Sequence, residues 1–310
     1  MLDVDKLATL RAVITHGSFT AAAQALLLTQ PAVSRQVALL ERQAGTQLVH
    51  RSRAGVRPTE AGRLLAEHTD AVLGRLALAE AQLAELAGLR RGHVRLGSFL
   101  TALVHLSAEV ATLLEARHPE LFRTEHAVIR DELVDRGAAF SRLAAGELDV
   151  AIVFEHEFEP APPPEDIEVV DLFTDPPRLL LPAAHALADT PTIALRDLAH
   201  DTWVRAHHGS AARLVDHVLH TADLRPPIML AGHGDEPVET QAFIAAGRGV
   251  TIAHDLNVLI HPRQIVAVAV ADHVPTRRVQ AAVLRDQHAP LPRAVLAVLE
   301  ELGARRARAG

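Results

Sequence analysis

A chain of 310 residues that is 49% apolar and 22% charged is long enough for two or three compact units and too apolar to be disordered. No apolar run approaches the roughly 20 residues that span a bilayer, and the acidic start MLDVDKLATL is unlike a secretory leader. The absence of cysteine excludes disulfides and thiolate metal sites and fits the cytoplasm. The net charge of −7 is unevenly spread, because residues 1–60 hold seven Lys or Arg against four acids.

That basic head concentrates phosphate affinity at one end of an acidic chain. In residues 4–15 the spacing of Val4, Leu7, Leu10, Ala12 and Ile14 predicts a helix with one buried face, broken at His16-Gly17. Ser18 caps a second helix, FTAAAQAL, slim enough for close packing. After the break LLLT, Thr29 caps a third helix with Pro31 in its first turn. Val33, Val37 and Leu40 pack inward there, while Gln30, Ser34, Arg35 and Ala38 face outward. Gln can pair with adenine and Arg with guanine, and small neighbours permit close approach, which is what a major-groove reader needs. The stretch TQLVHRSRAGVRPTEAG adds a strand-like piece, a turn at Ala54-Gly55 and three arginines placed to grip backbone or minor groove.

The segment GSFTAAAQALLLTQPAVSRQVALLERQAGTQLVHRSRAGVRPTEAG resembles the winged helix-turn-helix of LysR-type transcriptional regulators. The resemblance is carried by SFTAAA, QPAVSRQV, the Leu40-Glu41 pair, Gly45 and RPTEAG, and departs at Val49, where the family usually has Phe. It implies base or phosphate contacts at Gln30, Pro31, Ser34 and Arg35 and wing contacts at Arg51, Arg53 and Arg57. Ser18 and Thr20 complete the expected DNA-binding set.

Thr59 caps a long proline-free helix reaching about Leu89, in which Leu65, Val72, Leu76, Ala79, Leu83 and Leu86 form a heptad seam. Packing within its own domain would satisfy such a seam; its place behind a DNA head favours pairing with a second copy, as the resemblance also implies. LRRG at 89–92 marks a boundary. Beyond it HVRLGS, a helix at 104–116, LFRTEHAV, a helix at 130–145 and LDVAIVF follow a βαβαβ order that predicts a parallel sheet. The proline- and acid-rich EHEFEPAPPPEDIE reads as a crossing loop or an edge. A second unit comprises DIEVVDLF, RLLLP, DTWVRA, a helix at 210–219, PPIMLAG, a helix at 238–247 and GVTIA. The chain ends with IVAVAV, RRVQAAVLR and a helix at 292–302.

The expected fold is mixed: an all-α winged helix-turn-helix at 1–58, a linker and dimerisation helix at 59–89, and a two-lobed α/β effector domain at 90–310. Lobe 1 is expected at about 92–160 and 270–306 and lobe 2 at about 161–269, the periplasmic-binding-protein-like shape that the resemblance implies. GELDVAIV, TWVRAHHGS and IAAGRGVTIA carry the match there. Ligands of α/β units lie beyond the carboxyl ends of strands, which nominates Ser98, Thr101, Arg130, Arg205, His207 and Ser210 as effector contacts and suits a small anion. Ser98 and Ser210 could equally be plain helix caps.

The histidines are scattered, and neither His207-His208 nor GHGDE makes a convincing ligand set, so no metal or cofactor is expected. No GxSxG, Walker loop or GxGxxG follows the first strand, so no enzyme is expected. The expected partners are double-stranded DNA at an imperfect palindromic promoter site, a small-molecule effector, a second copy in a homodimer or homotetramer, and RNA polymerase, with no membrane. The alternative, a small-molecule binding protein without DNA function, leaves the 18–59 pattern unexplained.

Overall fold

Local chemistry sets the head. In the computed structural model, which describes residues 2–52, 55–86, 93–119, 129–232, 237–259 and 264–309, the Asp3 carboxylate accepts the N–H groups of Asp5 and Lys6 and starts α1 (Val4–His16). Gly17 ends it in the left-handed conformation, φ 59°. Ser18 caps α2 (Phe19–Ala25), and Thr29 caps α3 (Gln30–Ala44) with Pro31 in the first turn, where a missing N–H costs little. Val33, Val37 and Leu40 are fully buried and pack with Leu10, Val13 and Ala22. An antiparallel hairpin, β1 (Val49–Ser52) and β2 (Gly55–Pro58), forms the wing. Val49 is buried in the head core although it is smaller than the family's usual Phe. Ala54, half of the expected turn, lies outside the described residues.

The Thr59 hydroxyl accepts the Gly62 N–H at 3.0 Å and caps α4 (Glu60–Leu86). Leu65 packs on the head core, whereas Val72, Leu76, Ala79 and Leu83 of the heptad seam are exposed. The expected boundary at 89–92 lies outside the described residues. Among those described, no helix is long and apolar enough to cross a membrane.

The remaining chain makes two sheets. β3 (Val94–Ser98), β4 (Ile129–Leu133), β5 (Val150–His156), β6 (Ile167–Asp175) and β13 (Arg277–Leu284) form the first, in the order β4-β3-β5-β13-β6. Its β3 and β5 are parallel as expected, β4 also pairs in parallel with β3, and β13 runs antiparallel to both β5 and β6. Helices α5 (Leu100–Arg117) and α9 (Pro290–Ala309) cover one face, and α6 (Arg136–Ala144) covers the other. The second sheet joins β11 (Thr251–His254), β7 (Pro177–Pro182), β12 (Ile265–Val270) and β8 (Thr192–Ile193). Beside it lie the parallel pair β9 (Trp203–Arg205) and β10 (Ile228–Leu230) with α7 (Ser210–Thr221) and α8 (Pro237–Ala245).

Two expectations change. The helix expected at 130–145 divides: residues 129–133 pair in parallel with β3 from Val94↔Ile129 to Ser98↔Leu133, and the helix begins only after Asp135, which caps it. Ladder pairing outweighs the local helical preference of Asp131-Glu132-Leu133. The strand expected in LFRTEHAV lies outside the described residues. Secondly, DIEVVDLF belongs to the first sheet, because β6 pairs along its length with β13. The chain therefore crosses between sheets at Pro176, not near 161, and EHEFEPAPPPEDIE connects two strands of one sheet.

Candidate functional site

The first turn of α3 faces solvent: Gln30, Pro31 and Arg35 are exposed and Ser34 is half-buried. Gln36, on another face, bonds the Thr9 hydroxyl of α1 and fixes the axis of the helix. Glu41 does the same for the wing, its Oε1 accepting the N–H groups of Leu48 at 2.9 Å and Val49 at 3.3 Å. Arg51 reaches back from the wing, donating from Nη1 to the Ser34 hydroxyl at 3.2 Å with its guanidinium 4.3 Å from the Phe19 ring centre. Arg57 is exposed on the hairpin opposite His50. Thr20 is exposed, the Ser18 hydroxyl is engaged in capping α2, and Arg53 lies outside the described residues. The wing base rests on the Gly17 turn, where the Val56 N–H meets the Gly17 carbonyl at 2.8 Å.

The second site is a cavity of about 270 Å³ between the lobes. Phe99, Leu100, Thr101, Val134 and Phe154 of lobe 1 give it an apolar wall with one hydroxyl, and Arg136 and Arg277 bring guanidinium groups. Ser210 and Asn257 close it from lobe 2. Arg277 is 3% exposed, pairs with Asp175 at 2.7 Å, donates to the Asn257 side chain at 2.8 Å, and lies over the rings of Phe99 and Phe154. Burial pushes the Asp175 carboxyl up despite this cation. Arg136 donates to Glu155 Oε1 at 3.2 Å. Burial works to raise the Glu155 carboxyl, but the Ala161 N–H and the Arg136 and Arg278 guanidinium groups outweigh it and hold it low. Arg277 thus has Asp175 as its carboxylate, and Arg136 shares Glu155 with Arg278. α5 and α7 begin here without side-chain caps, at Phe99 and at Gly209, whose φ of 94° favours glycine.

Of the six residues expected around an effector, Thr101 and Ser210 line this cavity. Ser98 is fully buried just before α5, its hydroxyl oxygen without a hydrogen-bond partner among the described residues. Arg130 is exposed near the start of β4, roughly 10 Å along the strand from Leu133 at the cavity. Arg205 is taken up by Asp216 at 2.7 Å, a hydrogen bond that holds its guanidinium protonated, and by the carbonyls of Ala206 and His207. His207 is exposed, with its N–H on the Gly232 carbonyl. Arg136, Asn257 and Arg277 were missed; the one local signal was Asp135, a cap directly after an apolar pair. Among the described residues no three His, Asp or Glu gather closely enough to hold a metal. Residues 233–236 of GHGDE lie outside the described residues.

Comparison with known proteins matches residues 4–63 to the model for a bacterial regulatory helix-turn-helix protein of the lysR family and residues 87–305 to the LysR substrate binding domain. The HTH-type transcriptional regulator CbbR of Sinorhizobium medicae is 29% identical over 296 residues, covering 93% of this chain and 88% of that protein. The RuBisCO operon transcriptional regulator of Allochromatium vinosum is 30% identical over 210 residues, 67% of this chain and 65% of its own length. Among solved structures, a full-length OxyR variant from Pseudomonas aeruginosa superposes with a TM-score of 0.68 at 22% identity, covering 98% of this chain and 95% of that one. CbnR, a LysR family transcriptional regulator solved with its target DNA, superposes with a TM-score of 0.62 at 17% identity, covering 97% and 100%.

Proposed function

This chain belongs to the LysR family of bacterial regulators, and on that premise we propose which of its residues read DNA and what its effector domain senses. It is a DNA-binding transcriptional regulator with an effector-binding domain. Gln30, Pro31, Ser34 and Arg35 meet base edges or phosphates in the major groove, Ser18 and Thr20 lie along the backbone, and Arg51, Arg53 and Arg57 grip it from the wing. The exposed seam of Val72, Leu76 and Leu83 supports pairing through the 59–89 helix. A homodimer, or a homotetramer built from it, would then set two heads on an imperfect palindrome in the cytoplasm and alter access for RNA polymerase.

The interlobe cavity supports a small carboxylate with a compact apolar body and one negative charge. The start of α5, which has no side-chain cap, and the Thr101 and Ser210 hydroxyls suit one anionic group, and Phe99, Phe154 and Leu100 suit the body. Asp175 already balances Arg277, and Glu155 with Asp171 balances Arg136 and Arg278, so a second negative charge would lack a counter-ion. The observation that carries the reading is the convergence of both lobes on this one cavity, in a chain whose head holds the first turn of α3 open to solvent. The test is duplex selection from a random pool, followed by thermal-shift screening against small monocarboxylates and dicarboxylates. Enrichment of a two-fold symmetric site, with shifts from monocarboxylates that Thr101→Val abolishes, is expected. A pool without a motif would refute the DNA reading, and dicarboxylate preference would refute the charge argument.

A further inference from the structure

α6 touches both functional regions of the molecule. Its start lines the interlobe cavity through Asp135 and Arg136. Arg136 also lines a groove of about 800 Å³ between α6 and α4, bounded by Glu67, Asp70 and Ala71 on one side and Gly137 and Phe140 on the other. Its guanidinium lies 5.0 Å from the Phe140 ring centre, and its Nε is buried without a hydrogen-bond partner among the described residues. One side chain therefore forms part of the wall of two hollows.

The far end of α6 holds the head-bearing helix. Gly74 of α4 lies so close to the Ala144 carbonyl that a β-carbon there would collide with it. Just beyond, Glu147 is ion-paired with Arg11 of α1, whose Nε also meets Asp70 at 2.6 Å. Arg11 and Glu147 are half-buried, which limits screening. The nine residues of α6 span roughly 13 Å, so a displacement at its start appears at its end.

We propose that α6 is the lever by which occupancy of the interlobe cavity changes how the DNA head is held, with the Gly74–Ala144 contact and the Arg11–Glu147 pair as its joints. The proposal rests on reading that cavity as the effector site. A ligand acceptor drawn to Arg136 competes with Glu155 and Phe140 for the guanidinium and re-seats the first turn of α6. Occupancy acts on the head only as far as the ligand binds the docked and re-seated arrangements unequally.

The test uses the full-length chain and its lack of cysteine. Leu133, 58% exposed and lining the cavity, is replaced in Leu133→Cys, and benzyl methanethiosulfonate attaches a benzylthio group there, which dithiothreitol removes. Affinity for a selected duplex is measured by anisotropy before and after attachment. In Leu133→Cys alone we expect a reversible change of at least about fivefold, and in combination with Gly74→Ala or Glu147→Gln a change below about twofold. Alanine is the better helix former by about 1 kcal/mol, so Gly74→Ala opens the joint without weakening α4. If that variant loses its cooperative melt, the Glu147→Gln arm decides alone. An undiminished response in the combined variants overturns the lever and leaves the cavity standing. No response in Leu133→Cys itself overturns the cavity reading, and the lever with it.

Discussion

Glu41→Ala removes the carboxylate oxygen by which α3 holds the backbone at the base of the wing. Glu41 Oε1 accepts two backbone N–H groups, from Leu48 at 2.9 Å and Val49 at 3.3 Å, and those residues are 1% and 4% exposed. A hydrogen bond to a charged acceptor contributes about 1.5–3 kcal/mol. Here the second bond is long and shares its acceptor, so the pair together should contribute about 2–3 kcal/mol. Local opening of residues 46–52 should become easier by that amount, which raises amide exchange there about 30- to 150-fold. Glu41→Gln keeps an acceptor and loses the charge, and should fall between wild type and Ala. If, as proposed, the wing grips phosphates while α3 reads bases, Glu41→Ala should weaken selected and scrambled duplexes alike and leave base preference intact. Exchange mass spectrometry paired with anisotropy measures both. Wild-type protection at 46–52 in Glu41→Ala would refute the reasoning, as would a shift in base preference without loss of overall affinity.

Gln30→Ala should cost about 1–3 kcal/mol at particular base pairs and little on scrambled duplex; an unchanged selected motif would remove Gln30 from the reading face. Leu27 is 94% exposed at φ 55°, a conformation that costs a side-chain-bearing residue about 1–2 kcal/mol. Leu27→Gly should therefore raise head stability by about 0.5–1 kcal/mol after the entropy of glycine is charged against it, and calorimetry showing destabilisation would contradict this. His254 is buried beside Arg277 and His156, and burial first, then the electrostatic effect of those two neighbours, pushes its pKa well down. The folded ring thus refuses a proton that the unfolded ring accepts near its ordinary value of about 6.5. Lobe stability should fall as pH drops below that value towards the depressed one, and His254→Gln should flatten the fall. Fluorescence of the buried Trp203 reports it, and an identical acid slope in the variant would exclude His254 as its source.

The head was legible because its determinants are local. Asp3, Ser18, Thr29 and Thr59 each cap the helix that follows within four residues, and Val33, Val37 and Leu40 declare a face by spacing alone. The cavity was not, because Thr101, Arg136, Ser210, Asn257 and Arg277 converge from five separate stretches of chain. Arg277 sits at the head of an apolar strand and reads as an exposed end; only Asp175, 102 positions away, shows why it can be buried. Arg130 and Arg205 misled for the complementary reason. Both lie on strands as expected, but Arg130 stands at the wrong end of its strand and Arg205 belongs to Asp216. The lobe boundary failed because nothing local in DIEVVDLF reveals a partner strand more than a hundred residues later.

On the proposed reading, the hydroxyl of Ser34 is shared between a helix that discriminates sequences and an arginine that supplies attraction. Any replacement at this position would alter the choice of operator and the firmness of the clamp in one step. Relatives that diverge toward new operators should then change positions 34 and 51 together, and engineers seeking a redirected regulator would do well to randomise the two as a pair.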